Sequence, residues 1–501
     1  MNSARRSNKS LLIQKGLYFF WSAHSLSMIT IRCLQWEREN MASVLDLSLL
    51  EAAALYRRKE VSPVEVTKQT YERLQKLEPR LNAFITLMEE AALAKARQAE
   101  AAFMQNGQLH LLAGIPYSAK DLFYKKDSLT TCASRILKDF IPDYTASALS
   151  KLTKNGAILI GKNNMLEFAY GVVHPDFGQT NNPWDLSKTS GGSSSGSVAA
   201  VASGIGYFSL GTDTGGSIRI PASYCGTVGL KPTRGLVSTY GVFPLSWSLD
   251  HAGPIARSAK DTAVVLDAIA GYDPKDPHSA SGKITAFDLD RFGHSSRKRV
   301  GILPDHKLTM LEPDVQKIYE HTLNLMRALG WELVEFEVRD WDRTEEIVLK
   351  VLLPEAAHIH RKWVHRKDDY AEMTHRQIEA GMGQKAVDYL AGLRDLRRYT
   401  DAVSTLFKEV DVILTPTVAF PAPAEDPEIG SEEMDEMLFT GPFNISGHPA
   451  VSLNMGFTRD GLPVGMQLAG PHFGDMELLQ TAYQLEQTQA KILPPILVGA
   501  E

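Results

Sequence analysis

Hydrophobic and polar positions from Met41 onward first describe helices. Ser48-Leu49-Leu50-Glu51 and Ser62-Pro63-Val64-Glu65 each place a glutamate three residues after a serine, the pairing in which two side chains cap the N–H groups of a helix start. Pro63 suits the first helical position, where its missing N–H is not needed. Helices are therefore predicted to begin near residues 49 and 63. In the second, Val64, Tyr71, Leu74 and Leu77 recur at helical spacing until Pro79, which is expected to end it. A stretch rich in Ala, Glu and Lys, from about Glu89 to Phe103, predicts a third helix.

After Gly114 the texture changes to short apolar runs between turns, such as 157–160 and 207–210, alternating with helix-like stretches such as 198–203 and 259–270. Runs that are apolar at successive positions suit strands buried on both faces. Residues 412–416 and 450–455 read as strands added late to the same sheet. The pattern predicts an α/β fold, a single large mixed β-sheet core covered by helices on both faces. No linker or internal repeat interrupts residues 41–495, and 273–298 reads as a polar surface excursion, so one domain is expected over 41–501.

Composition narrows the partners. A chain of 501 residues with 44% hydrophobic content can fill one large core or two ordinary ones. A net charge of -6 spread along the chain leaves no electrostatic footprint for nucleic acid or an acidic membrane surface, so a small molecule is the expected partner. Cys33, Cys132 and Cys225 have no C-x-x-C spacing, which argues against a disulfide framework or zinc site and for a reducing cytoplasm. Residues 1–40 differ from the rest: Arg5, Arg6, Lys9 and Lys15 precede Leu17-Tyr18-Phe19-Phe20-Trp21. That apolar run falls short of the roughly 20 residues a spanning helix needs. The segment is expected to lie outside the fold, as a misassigned upstream start with Met41 the natural first residue, or as a cleavable targeting peptide.

Three polar islands carry the candidate chemistry: Ala119-Lys120-Asp121, Gly191-Gly192-Ser193-Ser194-Ser195-Gly196-Ser197, and Thr212-Asp213-Thr214-Gly215-Gly216-Ser217-Ile218-Arg219. Gly/Ser-rich sequence is most often flexible linker. Here, however, the run enters Val198-Ala199-Ala200-Val201-Ala202, suited to a buried helix, which puts the serines on a turn beside free backbone N–H groups. The third island repeats the arrangement, with Gly215 and Gly216 permitting a tight turn before Ser217. A serine hydroxyl is a poor nucleophile at neutral pH, so a hydrolase must supply a base and a cradle of donors for the oxyanion. Lysine and glycine-flanked serines can supply both.

Together with Gly114-Ile115-Pro116-Tyr117-Ser118, Tyr224-Cys225-Gly226, Gly229-Leu230-Lys231-Pro232-Thr233-Arg234-Gly235 and Leu462-Pro463-Val464-Gly465-Met466-Gln467, these islands resemble the amidase signature family over nearly everything after Met41. The closest likeness is to stand-alone bacterial-type amidases. The resemblance implies hydrolysis of a carboxylic amide to carboxylate and ammonia or amine by a Ser-Ser-Lys triad. In it Ser217 is the nucleophile that forms an acyl-enzyme, Ser193, on a cis peptide bond, relays protons, and Lys120 is the base. Ser193 lies 24 residues before Ser217, as the family pattern requires, while Ser194 and Ser195 fall out of register. Backbone N–H groups of Thr214, Gly215, Gly216 and Ser217 are expected to form the oxyanion hole. Lys120 must be neutral part of the time, which calls for burial or a neighbouring positive charge, since a solvated lysine titrates near about 10.4. Asp121, Asp213 and Arg219 read as loop-fixing or orienting charges. No metal or cofactor is implied, and a homodimer is the family's suggestion.

Two other readings stay open. Gly192-Ser193-Ser194-Ser195-Gly196 also satisfies G-x-S-x-G with Ser194 as nucleophile, but no matching histidine is identifiable: His251 follows Asp250 directly, and its placement does not support the role. The signature also occurs in the A subunit of a glutamine-dependent tRNA amidotransferase, which supplies ammonia within a multi-subunit complex and grips glutamine with an arginine and an aspartate. Arg376 can match the arginine, but Met437-Leu438-Phe439-Thr440 offers no aspartate, so a stand-alone amidase is the preferred expectation. Phe168, Tyr170, Trp247 and Phe439 are candidates for an apolar substrate pocket, a role each shares with ordinary core residues. His358, His360 and His365 do not read as a metal site, because i and i+2 on a helix point apart.

Overall fold

The computed structural model describes residues 43–497, apart from 106, 283, 294–295 and 430–433. The expected N-terminal extension, including Cys33, lies outside the described residues. Both helix starts form where the serines place them. In the helix Leu49–Arg58, Ser48 Oγ accepts from Glu51 N–H and the Glu51 carboxylate accepts from Ser48 N–H, a closed capping box. Such a cap contributes about 1 kcal/mol. Ser62 caps the helix Pro63–Leu81 by accepting from Val64 N–H at 3.0 Å.

That second helix runs two residues past Pro79, a correction to the expectation that the proline stops it. A proline removes only its own N–H, and near a helix end the residues after it can still reach back. Asn82 N–H bonds Glu78 C=O at 2.9 Å before the left-handed conformation of Asn82 ends the helix. The third helix spans Glu89–Met104.

Eleven strands form one sheet: β1 (Phe84–Leu87), β2 (Pro116–Lys120), β3 (Ile158–Asn163), β4 (Phe208–Asp213), β5 (Val228–Lys231), β6 (His251–Ala256), β7 (Arg299–Ile302), β8 (Glu332–Glu335), β9 (Val412–Pro416), β10 (Ala450–Phe457) and β11 (Pro463–Ala469). Their order is β1-β3-β2-β4-β6-β5-β10-β11-β9-β7-β8. The β3-β2-β4 and β9-β7-β8 groups are parallel and the remaining pairings antiparallel, so the sheet is mixed. Every residue of β2, β4, β6, β9 and β11 is buried. Successive strand side chains point to opposite faces, so burial at every position means both faces are covered.

The late runs join this sheet as expected, with β10 paired to β5 and β11 to β9. In the polar excursion after residue 273, the described residues hold only the short turn Leu289–Arg291 before β7 begins. Among the described residues no helix is long and apolar enough to cross a membrane.

Candidate active site

The sheet order brings the three islands together. Strands β2 and β4 run parallel with Ala119 opposite Leu210, so Lys120 and the turn after β4 leave the sheet at the same edge. The second island ends on the buried helix Ser195–Ala202, and Ser194 N–H donates to Ser217 C=O at 3.2 Å, tying the two serine turns. The Gly192–Ser193 peptide bond is cis. Gly191 has φ +84°, and a Cβ there would stand 2.8 Å from the Pro221 Cα, so only glycine lets this turn approach the helix Arg219–Cys225. Gly216, with φ +147°, would carry a Cβ 2.4 Å from Ile220 Cδ1.

Lys120 is fully buried. Its Nζ lies 2.7 Å from Ser193 Oγ, 3.0 Å from Thr212 Oγ1 and 3.1 Å from Ser194 Oγ. Burial pushes its pKa down to about 7, and the negative charges of Asp213 and Asp250 offset only part of that. A neutral amine offers two N–H donors and one lone pair. Ser194 spends its proton on Thr212 C=O at 3.2 Å and therefore accepts from the amine. Ser193, at the shortest distance, is the hydroxyl placed to donate into the lone pair.

Ser217 is partly exposed, unlike Lys120 and Ser193. Among the described residues no hydrogen bond is made by its hydroxyl or by the N–H groups of Thr214, Gly215, Gly216 and Ser217. Available donors and an open hydroxyl on one turn are what an acyl-transfer site requires. The charge state of Lys120 sets the sign of the pH dependence. Below about pH 7 the amine is protonated and has no lone pair; above it the base is free. We expect kcat/KM to rise through about pH 7 to a plateau, read from a pH–rate profile. A profile flat from pH 6 to 9 would remove Lys120 as the titrating base.

Buried charges hold the turn in shape. Arg219 donates from Nε to Asp213 Oδ2 at 2.9 Å and from Nη2 to Oδ1 at 2.8 Å. Asp213 Oδ2 also accepts Ile218 N–H at 3.2 Å, so one carboxylate clasps both ends of the turn. Burial alone would raise the Asp213 pKa, but Arg219 overcomes this and holds it below the usual carboxylate value. Arg219 Nη1 reaches Gln467 Oε1 at 2.6 Å and Thr440 C=O at 2.8 Å, and Nη2 reaches Asn444 Oδ1 at 2.6 Å. Asp121 pairs with buried Lys162 at 2.9 Å and accepts from Thr131, fixing the loop after β2.

Sequence reasoning missed several supports. Thr214 donates to Asp250 at 2.7 Å, Thr440 donates to Gly215 C=O at 2.6 Å, and Met437 crowds Gly215, where a Cβ would lie 2.5 Å from its Sδ. Gln467 closes the motif that begins at Leu462 and was the readable signal; Asp250 and Met437 give none. His251 is buried, with Nδ1 held by the carbonyls of Leu249 and Asp213, and it contacts no serine. The Ser-His reading has no geometry here, since Ser194 is bound to Lys120 and Thr212.

Phe168, Tyr170 and Phe439 are enclosed, Phe168 packing on Phe243 and His360. Trp247 is half-buried and lines a cleft of about 260 Å³ with Tyr240, Asp250 and His278. A larger cleft, about 710 Å³, runs between residues 46–54 and 486–494 and includes no residue of the three islands. His360 is buried against Tyr370, while His358 meets the Trp247 ring edge-on. Arg376 is exposed and pairs with Glu372, four residues before it.

Residues 65–479 match the family model described as Amidase. The A subunit of glutamyl-tRNA(Gln) amidotransferase from Geotalea daltonii is 37% identical over 479 residues, covering 89% of this chain and 97% of that protein. Among solved structures, 6-aminohexanoate cyclic dimer hydrolase superposes with a TM-score of 0.83 at 27% identity, covering 91% of this chain and 100% of that one. The A subunit of glutamyl-tRNA(Gln) amidotransferase from Thermotoga maritima superposes with a TM-score of 0.74 at 28% identity, covering 91% and 98%.

Proposed function

This chain belongs to the amidase signature family, and we propose that it hydrolyses the side-chain amide of glutamine through an acyl-enzyme on Ser217, as the A subunit of a tRNA-dependent amidotransferase. The observation that carries the chemistry is Lys120, a fully buried amine whose hydrogen bonds among the described residues all run to hydroxyls. Burying a cation without a carboxylate partner is unfavourable, so this lysine is neutral and basic above about pH 7. Neutral Lys120 takes a proton from Ser193, Ser193 takes one from Ser217, and the Ser217 oxygen attacks the amide carbonyl. The oxyanion is met by N–H groups of the Thr214–Ser217 turn. The relay reversed protonates the leaving nitrogen, and water then releases the acyl group as carboxylate.

Glutamine as substrate, and partner subunits in place of a self-sufficient chain, rest on the near full-length similarity to the amidotransferase A subunit. A stand-alone amidase is the second reading. It is favoured by the stretch Met437-Leu438-Phe439-Thr440, which offers no aspartate to grip glutamine, and by Arg376, which is exposed and paired with Glu372. Ammonia release by the purified chain, alone and with partner subunits, separates the two. Glutamine turnover that partner subunits raise is expected. Partner-independent turnover of aliphatic or aryl amides or an anilide, with glutamine untouched, would establish the stand-alone enzyme instead.

A further inference from the structure

We infer that Glu355 is a positioning residue for the oxyanion turn, acting through Ser246, Asp250 and Thr214, a role that rests on the amide-hydrolysis reading of Ser217. Glu355 touches no substrate. It fixes the loop that in turn fixes the N–H donors.

Glu355 lies inside the helix Thr344–His360 and is 1% exposed. Among the described residues it makes no ion pair, yet donors converge on both oxygens. Oε2 accepts Ser246 Oγ at 2.6 Å and Ser248 N–H at 3.1 Å, and Oε1 accepts Ser248 Oγ at 2.6 Å and the Tyr389 hydroxyl at 2.8 Å. A carboxylate offers about four acceptor positions, so all of them are used. Hydrogen bonds to a charged acceptor are roughly twice as strong as neutral ones, which makes this a firm hold on the 246–248 segment. The helix is tied where Glu355 leaves it: Pro354 has no N–H for the Lys350 carbonyl four residues earlier, and Gln384 Nε2 supplies that donor at 2.8 Å.

Ser246 carries the hold toward the active site. While its hydroxyl is on Glu355, its N–H donates to Asp250 Oδ1 and Oδ2, each at 3.1 Å, and its C=O accepts Leu249 N–H at 3.0 Å and Asp250 N–H at 2.8 Å. Leu245 N–H adds a bond to Asp250 Oδ2 at 2.9 Å. The carboxylate so fixed accepts the Thr214 hydroxyl at 2.7 Å, and Thr214 opens the turn whose N–H groups meet the oxyanion. Asp213, one residue earlier, is held separately by Arg219. Burial pushes Asp250 up to about 6, and the Glu355 charge adds to this, so two carboxyls that repel each other stay in place because donors surround both. An oxyanion site is effective when its donors need not move during the reaction, and a misplacement of about 1 Å can cost a hundredfold in rate.

Glu355→Gln tests this in the full-length protein, since glutamine keeps the shape but turns one acceptor oxygen into an NH2 that faces donors. On whichever of glutamine, butanamide or benzamide the parent cleaves fastest, kcat is expected to fall about tenfold or more with KM within about twofold. Ser246→Ala, which loses a single hydroxyl, should reproduce the fall, and Tyr389→Phe, which lies off the path, should keep kcat within about twofold. Thr214→Val keeps its backbone N–H but cannot bond Asp250. Its loss and that of Glu355→Gln should not add in the double variant, because both break one chain. Calorimetric affinity of the same amide for the Ser217→Ala protein should be unchanged by adding Glu355→Gln. Additive losses, parental kcat in Ser246→Ala, or an affinity that falls as far as kcat would overturn the role. Parental kcat in these variants removes the positioning role alone, whereas a parent that cleaves none of the three amides removes the amide-hydrolysis reading and this role with it.

Discussion

Lys120→Met is expected to lower kcat/KM for amide hydrolysis by about 10⁴-fold, with KM moved only a fewfold. Methionine keeps the unbranched stem that fills the buried channel and removes only the amine, so the loss reports the base and not a cavity. Ser193→Ala should fall nearly as far, because Ser193 is the shortest contact of Nζ, at 2.7 Å. Its neighbour gives the contrast. Ser194 Oγ lies 3.1 Å from the same amine but donates to Thr212 C=O, so Ser194→Ala should retain activity within about tenfold. His251→Asn should likewise retain turnover. Comparable losses in the Ser194 and Lys120 variants would mean that the proton path runs through the wrong serine.

The largest effect on stability is expected at Arg219. Its guanidinium satisfies Asp213, Asn444, Gln467 and the Thr440 carbonyl, all in the interior. Arg219→Met leaves a buried carboxylate without its cation, a change that costs about 3–5 kcal/mol. The thermal transition should fall clearly, and Asp213→Asn introduced beside it should recover part of the loss. The sign with pH follows from Asp213, whose pKa is held below its ordinary value in the folded chain. The stability this pair contributes is present above the ordinary carboxylate range and is lost as pH falls through the folded-state value. A variant that melts like the parent would show that the pair only orients the turn.

Local signals made much of this legible. The capping serines Ser48 and Ser62, the continuous apolar run of β9 and the helix after Ser194 all formed where periodicity and caps place them, because each is decided within a few residues. Ser193 and Ser217 were readable for a different reason: their glycine-rich turns demand backbone geometry that leaves a mark in sequence, whereas Lys120, at the end of β2, was read from its likeness to the family motif. What was not legible depends on contacts across the sheet. Pro79 continues its helix because the chain beyond it turns at Asn82. Phe168 and Phe439 are enclosed, Phe168 in part by His360 from a distant helix, and aromatic composition does not distinguish a pocket wall from a core. The approach of Glu355 to Ser246 spans 109 residues and could not be read from spacing.

A covalent intermediate at Ser217 is the most direct consequence of the relay from Lys120 through Ser193. Rapid acid quench during turnover of an amide substrate, followed by peptide mapping, should find the acyl group on the peptide carrying Ser217, absent in Ser217→Ala and strongly reduced in Lys120→Met. An acyl group on Ser194 or Ser195, or full turnover by Lys120→Met, would contradict it.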